Sequence, residues 1–106
     1  MELKDLLKFI EIENKRLRTY YHNTDEDKII LAQTVKLTEE LGELCSEVLA
    51  HKFLQRKQKL ENHDKENIQE EFADVIITAM LLAKAMNIDT EKALENKIKK
   101  INKRYE

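Results

Sequence analysis

An all-α fold is predicted by three features of the sequence. The 106-residue chain has no proline and one glycine, Gly42, whereas a strand-rich chain spends both residue types on turns. Apolar side chains (42%) and charged ones (38%) occur in the near-equal shares that amphipathic helices with solvated faces require. Leucine and isoleucine recur at three- and four-residue spacing through most of the chain. The length suits one domain, expected over residues 1–106. The expected architecture is a four-helix bundle completed by oligomerisation.

The first helix is expected from about Glu2 to Tyr21, with Leu3, Leu6, Leu7, Ile10, Asn14 and Leu17 on one buried stripe. HNTDED follows, in which Thr24 or Asp25 can cap the next helix with acids in its first turn. That second helix should run from about Glu26 to Phe53 or a little beyond, burying Ile30, Leu37, Leu41, Leu44 and Val48. Gly42 within it costs about 1 kcal/mol relative to alanine. It marks either a close approach to the backbone or a slight kink.

QRKQKLENHDKEN reads as a polar loop. The third helix should start between Asp64 and Asn67 and end near Met86. From Val75 to Met86 it is apolar almost all round, so it must be covered on nearly every side. A lone domain of this size struggles to supply that cover, and Ile77 and Leu81 are expected to pack against a second subunit. Asn87-Ile88-Asp89 reads as a turn in which Asp89 caps a fourth helix to about Arg104, turning Ala93, Leu94, Ile98 and Ile101 inward.

Charge excludes some functions. The net charge is −2, from 19 basic and 21 acidic side chains, which is no footprint for duplex nucleic acid. No signal-peptide pattern opens the chain, and the longest apolar stretch is too short to span a bilayer. The lone cysteine, Cys45, forbids an intrachain disulfide and fits a reducing cytoplasm. It is expected as an inert core thiol on an apolar helical face. Within the near-balance, carboxylates concentrate at 39–47 and 61–74 and basic residues at 52–59 and 97–104. A small polyanion held by a cation could use both groups.

Two acidic motifs carry the chemistry. Glu40-x-x-Glu43 lies in EELGEL and Glu71-x-x-Asp74 in EEFADV. Residues three apart on a helix are neighbours on one face, so each motif aims two carboxylates the same way. Both pairs border their helix's apolar stripe at a similar offset, which lets four carboxylates meet in one interhelical groove. Such a cluster is tolerable only with cations or protons in its midst. All-oxygen ligation points to Mg²⁺, with Mn²⁺ as a substitute. His22, His51 and His63 lie outside the motifs and are expected on the surface or in loops. Their absence disfavours zinc and the Glu-x-x-His di-iron bundles. The implied reaction is metal-assisted phosphoryl or nucleotidyl transfer to water.

KLTEELGEL, a spacer, EEFADV with an apolar helix behind it, then NID and a basic end in KRYE resemble the MazG-like nucleoside triphosphate pyrophosphohydrolases. These belong to the all-α NTP pyrophosphatase superfamily, with dimeric dUTPases and dCTP pyrophosphatases. The likeness runs from about Ile30 to Tyr105. It implies that Glu40, Glu43, Glu71 and Asp74 are metal ligands, and that Mg²⁺ is used to cleave between the α- and β-phosphates. It also implies that Lys36, Lys97, Lys100, Arg104 and Tyr105 bind substrate. Many members carry asparagine at the position of Ile101, whereas here Asn102 is next door. The tryptophans with which several relatives grip a base are absent; Tyr20 and Tyr21 either replace them or serve packing.

The expected function is therefore Mg²⁺-dependent hydrolysis of a nucleoside triphosphate by a cytoplasmic homodimer or dimer of dimers, in nucleotide-pool housecleaning. Glu39 and Glu70, beside the ligands, either orient and deprotonate the attacking water or face solvent. Arg56 and Lys57 either fold over the triphosphate or belong to a solvated loop. One alternative is a non-catalytic helical interaction module with a solvated acidic face and the third helix as a dimer seam. Another, a redox di-metal bundle, is disfavoured by the missing Glu-x-x-His.

Overall fold

The structure, a computed structural model, describes residues 1–22, 24–52 and 65–106. Among them are four helices and no strand: α1 (Leu3–Tyr20), α2 (Glu26–His51), α3 (Lys65–Ala85) and α4 (Thr90–Lys103). The boundaries agree with periodicity and caps to within a residue or two. The polar loop expected after α2, with Arg56 and Lys57, lies outside the described residues except for its last three, which begin α3.

Local chemistry sets the helix ends. Asp25 caps α2 by accepting the Lys28 backbone N–H at 2.9 Å, and Asp89 caps α4 through Lys92 N–H at 3.0 Å. Asn87 stops α3 with a left-handed backbone, φ 57°. Asparagine tolerates that conformation better than most residues. Asn87 N–H then bonds the Lys84 carbonyl and Ile88 N–H the Ala83 carbonyl, satisfying two carbonyls that the helix end would otherwise orphan.

The packing is organised around α3. α2 runs along one side of it and α1 leans on another. Ile10 of α1 meets Met80 and Leu81 of α3 in a buried cluster, joined by Leu6, Leu7, Leu17 and Ile77. This corrects the expectation for Ile77 and Leu81: α1 covers them within the chain, because their side of α3 faces the Leu6–Ile10–Leu17 stripe. α1 and α2 meet α3 rather than each other. The Arg18 guanidinium of α1 grips the Glu26 carboxylate of α2, with a second bond of 2.9 Å.

Several apolar positions expected inside are open. α4 touches α3 and no other described helix, so Ala93, Leu94, Ile98 and Ile101 remain exposed. On α2, Leu44 is buried but Leu41 and Val48 are not. The side of α2 turned to α3 runs along Ile29, Gln33, Glu40 and Leu44, which rotates Leu41 and Val48 outward. Cys45 is likewise exposed rather than a core thiol. Gly42 sits about 160° around the helix from Glu40, and a Cβ there would meet nothing within 4 Å. No close approach among the described residues accounts for the glycine. The outward stripe of α2 therefore reads Leu31, Gly42, Cys45, Leu49, and Phe72 and Ile76 of α3 are also half-exposed. No described helix is long and apolar enough to cross a membrane.

Candidate metal centre

Pairing α2 with α3 brings the two acidic motifs together. Glu40, Glu43 and Glu71 each offer a carboxylate oxygen, and these atoms lie within 4.8 Å of one another. Glu40 is buried, at 7% exposure. The sequence places it at the margin of an apolar stripe, whereas the packing puts it squarely on the α3-facing side. Glu71 is half-buried and Glu43 lies at the exposed edge. Asp74 stands one turn further along α3, exposed, outside this close trio but near enough for its charge to be felt at Glu71.

The electrostatics are those of crowded acids. The Glu71 carboxyl is pushed above the usual carboxylate range, first by burial, then by the charges of Glu43 and Asp74, a hydrogen bond with Glu43, and the charge of Glu40. Lys36 partly answers the cluster. Its ammonium lies 3.0 Å from Glu40 Oε1 and 3.9 Å from Glu39 Oε2. The hydrogen bond to Glu40 is the main reason its pKa is raised. Two oxygens remain unanswered among the described residues: Glu40 Oε2 and Glu71 Oε2 are buried without a hydrogen-bond partner there.

Beside the cluster a cavity of about 340 Å³ opens in the gap between α1 and α2, over α3. Glu13 and Leu17 of α1 and Tyr21 just after it form one wall, Gln33, Lys36, Glu39 and Glu40 of α2 another, and Asp74, Ile77, Thr78 and Leu81 of α3 the floor. Glu40 and Asp74 thus join cluster to cavity. Of the two candidate catalytic acids, Glu39 lines the cavity, while Glu70 is exposed and does not. Of the candidate substrate-binding residues, Lys36 is in the site. Lys97, Lys100, Arg104 and Tyr105 are exposed on or just after α4, which the chain does not bring to the cavity. Tyr21 lines the cavity, and Tyr20 stacks edge-on against it at 5.1 Å, pointing away into solvent. Glu13, Gln33 and Thr78 were not anticipated. Gln33 had a signal, since Gln33, Lys36 and Glu40 share one helical face at spacings of three and four.

Residues 31–106 match the MazG-like family. The chain belongs to that family. A curated relative, the uncharacterized protein YpjD of Bacillus subtilis (strain 168), is 38% identical over 74 residues, covering 70% of this chain and 65% of YpjD. No solved structure matches. MazG-like membership points to nucleotide pyrophosphohydrolase-type activity and divalent-metal dependence at the level of the family. The acidic motifs and the cavity floor fall inside the matched region of this MazG-like chain, whereas the α1 wall with Glu13, Leu17 and Tyr21 precedes it.

Proposed function

We propose that this MazG-like protein is a Mg²⁺-dependent nucleoside triphosphate pyrophosphohydrolase. It would cleave the α–β phosphoanhydride to a nucleoside monophosphate and pyrophosphate, serving nucleotide-pool housecleaning. The observation that carries this reading is the pair of buried oxygens without a partner among the described residues, Glu40 Oε2 and Glu71 Oε2, in a cluster that Glu40 shares with a cavity of about 340 Å³. Buried carboxylate oxygens are costly unless a cation or donor meets them. A merely solvated acidic face gives no reason to bury them.

The donor set fits a hard divalent ion, since it is all carboxylate oxygen and neither described histidine, His22 or His51, belongs to it. Glu40, Glu43 and Glu71 would hold the ion, with Asp74 as the fourth candidate and Mn²⁺ as a substitute for Mg²⁺. When bound, the ion supplies positive charge to the triphosphate and acidifies a water. The protein's own groups do the rest. Glu39, on the cavity wall, is placed to orient that water or take its proton. Leu17, Tyr21 and Leu81 give the base an apolar seat that excludes water, and Gln33 offers it an amide donor and acceptor.

The protein is proposed to act as a homodimer or dimer of dimers. The support is the apolar surface left on α2, α3 and α4, where Leu31 is 65% exposed, Phe72 51% and Ile98 55%. In such an assembly Lys97, Lys100, Arg104 and Tyr105 serve the site of another copy, because α4 does not reach the cavity of its own chain. The function is tested by incubating the purified protein with nucleoside triphosphates, with and without Mg²⁺, and measuring both products.

A further inference from the structure

We propose that Lys36 is a positioning residue of the metal centre rather than a substrate-phosphate ligand: it holds Glu40 by one carboxylate oxygen and so presents the other to the cluster. This rests on the metal-centre reading above. Lys36 Nζ lies 3.0 Å from Glu40 Oε1, while Glu40 Oε2 is buried without a partner among the described residues, in a residue that clusters with Glu43 and Glu71. One oxygen is thus occupied by a donor and the other is left for a cation. Lysine four residues before glutamate is the weaker orientation of a helical ion pair. It forms here because Glu40 is buried, whereas the ammonium, on a half-exposed side chain, lies within reach of water.

The same ammonium lies 3.9 Å from Glu39 Oε2, so it spans the cavity wall from one acid to the next. To bind a phosphate instead, Lys36 would have to abandon Glu40. The buried carboxylate would then lose the contact that fixes its orientation. A group that hydrogen-bonds one oxygen of a ligating carboxylate orients the other, and losing such a partner typically weakens metal binding 10- to 100-fold.

The test uses the full chain without nucleotide, with Mn²⁺ as the probe, by titration calorimetry. Circular dichroism checks that each variant is folded. Lys36→Met should weaken Mn²⁺ binding about tenfold or more, and Lys36→Arg, which keeps the charge and a donor, should recover most of it. Lys36→Gln serves if the methionine variant does not fold, with a loss of the same sign expected. Unchanged Mn²⁺ affinity with a raised KM for nucleotide would make Lys36 a substrate ligand and overturn the proposal. Tighter Mn²⁺ binding would overturn it as well, by showing that the lysine competes with the metal. Failure of the wild type itself to bind Mn²⁺ would instead reject the metal centre, and with it the role of Lys36.

Discussion

Glu40 of α2 and Glu71 of α3 meet in one carboxylate cluster, and each keeps a buried oxygen, Oε2, that has no hydrogen-bond partner among the described residues. The metal-free protein thus keeps two like charges close together at the junction of its best-packed helices. A proton or a cation relieves that strain, and the two remedies lead to separate predictions.

The first concerns protons. The Glu71 pKa is raised in the folded protein. A raised acid contributes stability that is fully present below its unfolded pKa and is lost as pH rises through the folded pKa. Metal-free protein should therefore melt at a higher temperature as pH is lowered from neutral toward the ordinary carboxylate range. Glu26 has the opposite sign, since the Arg18 bond lowers its pKa. Its contribution is lost only at lower pH and, for an exposed pair, is small. Glu71→Gln should raise the melting temperature at neutral pH and flatten the upper part of the profile. Melting curves in chelator across pH check this, and a wild type that becomes steadily less stable from pH 7 downward would contradict it.

The second concerns the cation. Glu43→Gln removes a member of the close trio. Changing a group that merely orients a ligand costs up to about 100-fold, so losing a ligand should cost at least that much hydrolysis. The fold should survive, because a repulsive charge has been removed. Asp74→Asn should also depress hydrolysis, with a smaller effect on nucleotide-free Mn²⁺ affinity, because Asp74 stands outside the trio. Equal rates in wild type and Glu43→Gln would remove the basis for the site.

The third concerns the cavity. Tyr21 and Gln33 line it and belong to neither acidic motif. Tyr21→Ala and Gln33→Ala should raise KM for nucleotide while leaving Mn²⁺ affinity unchanged. Gln33→Ala should also alter the ranking of bases, since the amide is the polar group placed to read one. Steady-state kinetics on several triphosphates check it; an unchanged KM in both variants would place the nucleoside elsewhere.

The fourth concerns assembly. Ile98→Glu puts a charge on the open apolar stripe of α4, where burial against another copy without a partner would be costly. The wild type should scatter light as a dimer or larger, and the variant as a folded monomer. Core truncation differs: Leu81→Ala, in the buried cluster with Ile10 and Met80, should cost about 2–5 kcal/mol of stability. A monomeric wild type at micromolar concentration would contradict the assembly.

Much of this was legible in the sequence. Helix boundaries followed from local chemistry, the Asp25 and Asp89 caps above all, and the acidic motifs followed from three-residue spacing. Which apolar face meets which neighbour was harder to read. Leu41, Leu44 and Val48 share one stripe of α2 at three- and four-residue spacing, so periodicity alone could not tell that α3 packs along its Glu40–Leu44 edge and leaves Leu41 and Val48 open. Ile77 and Leu81 were read as lacking cover because nothing local says that α1 folds back onto α3. Gln33 escaped notice because an amide among charges carries no motif. Its role depends on the gap that α1 and α2 leave over α3, which is a tertiary feature.

The central claim is the metal-dependent cleavage of one particular bond. The most direct measurement is product analysis of a panel of nucleoside triphosphates incubated with the purified protein and Mg²⁺, monophosphate and pyrophosphate being quantified together. Monophosphate and pyrophosphate should appear in equal amounts from at least one triphosphate, with turnover abolished by chelator. Orthophosphate and a nucleoside diphosphate, or no metal-dependent turnover of any triphosphate, would contradict it.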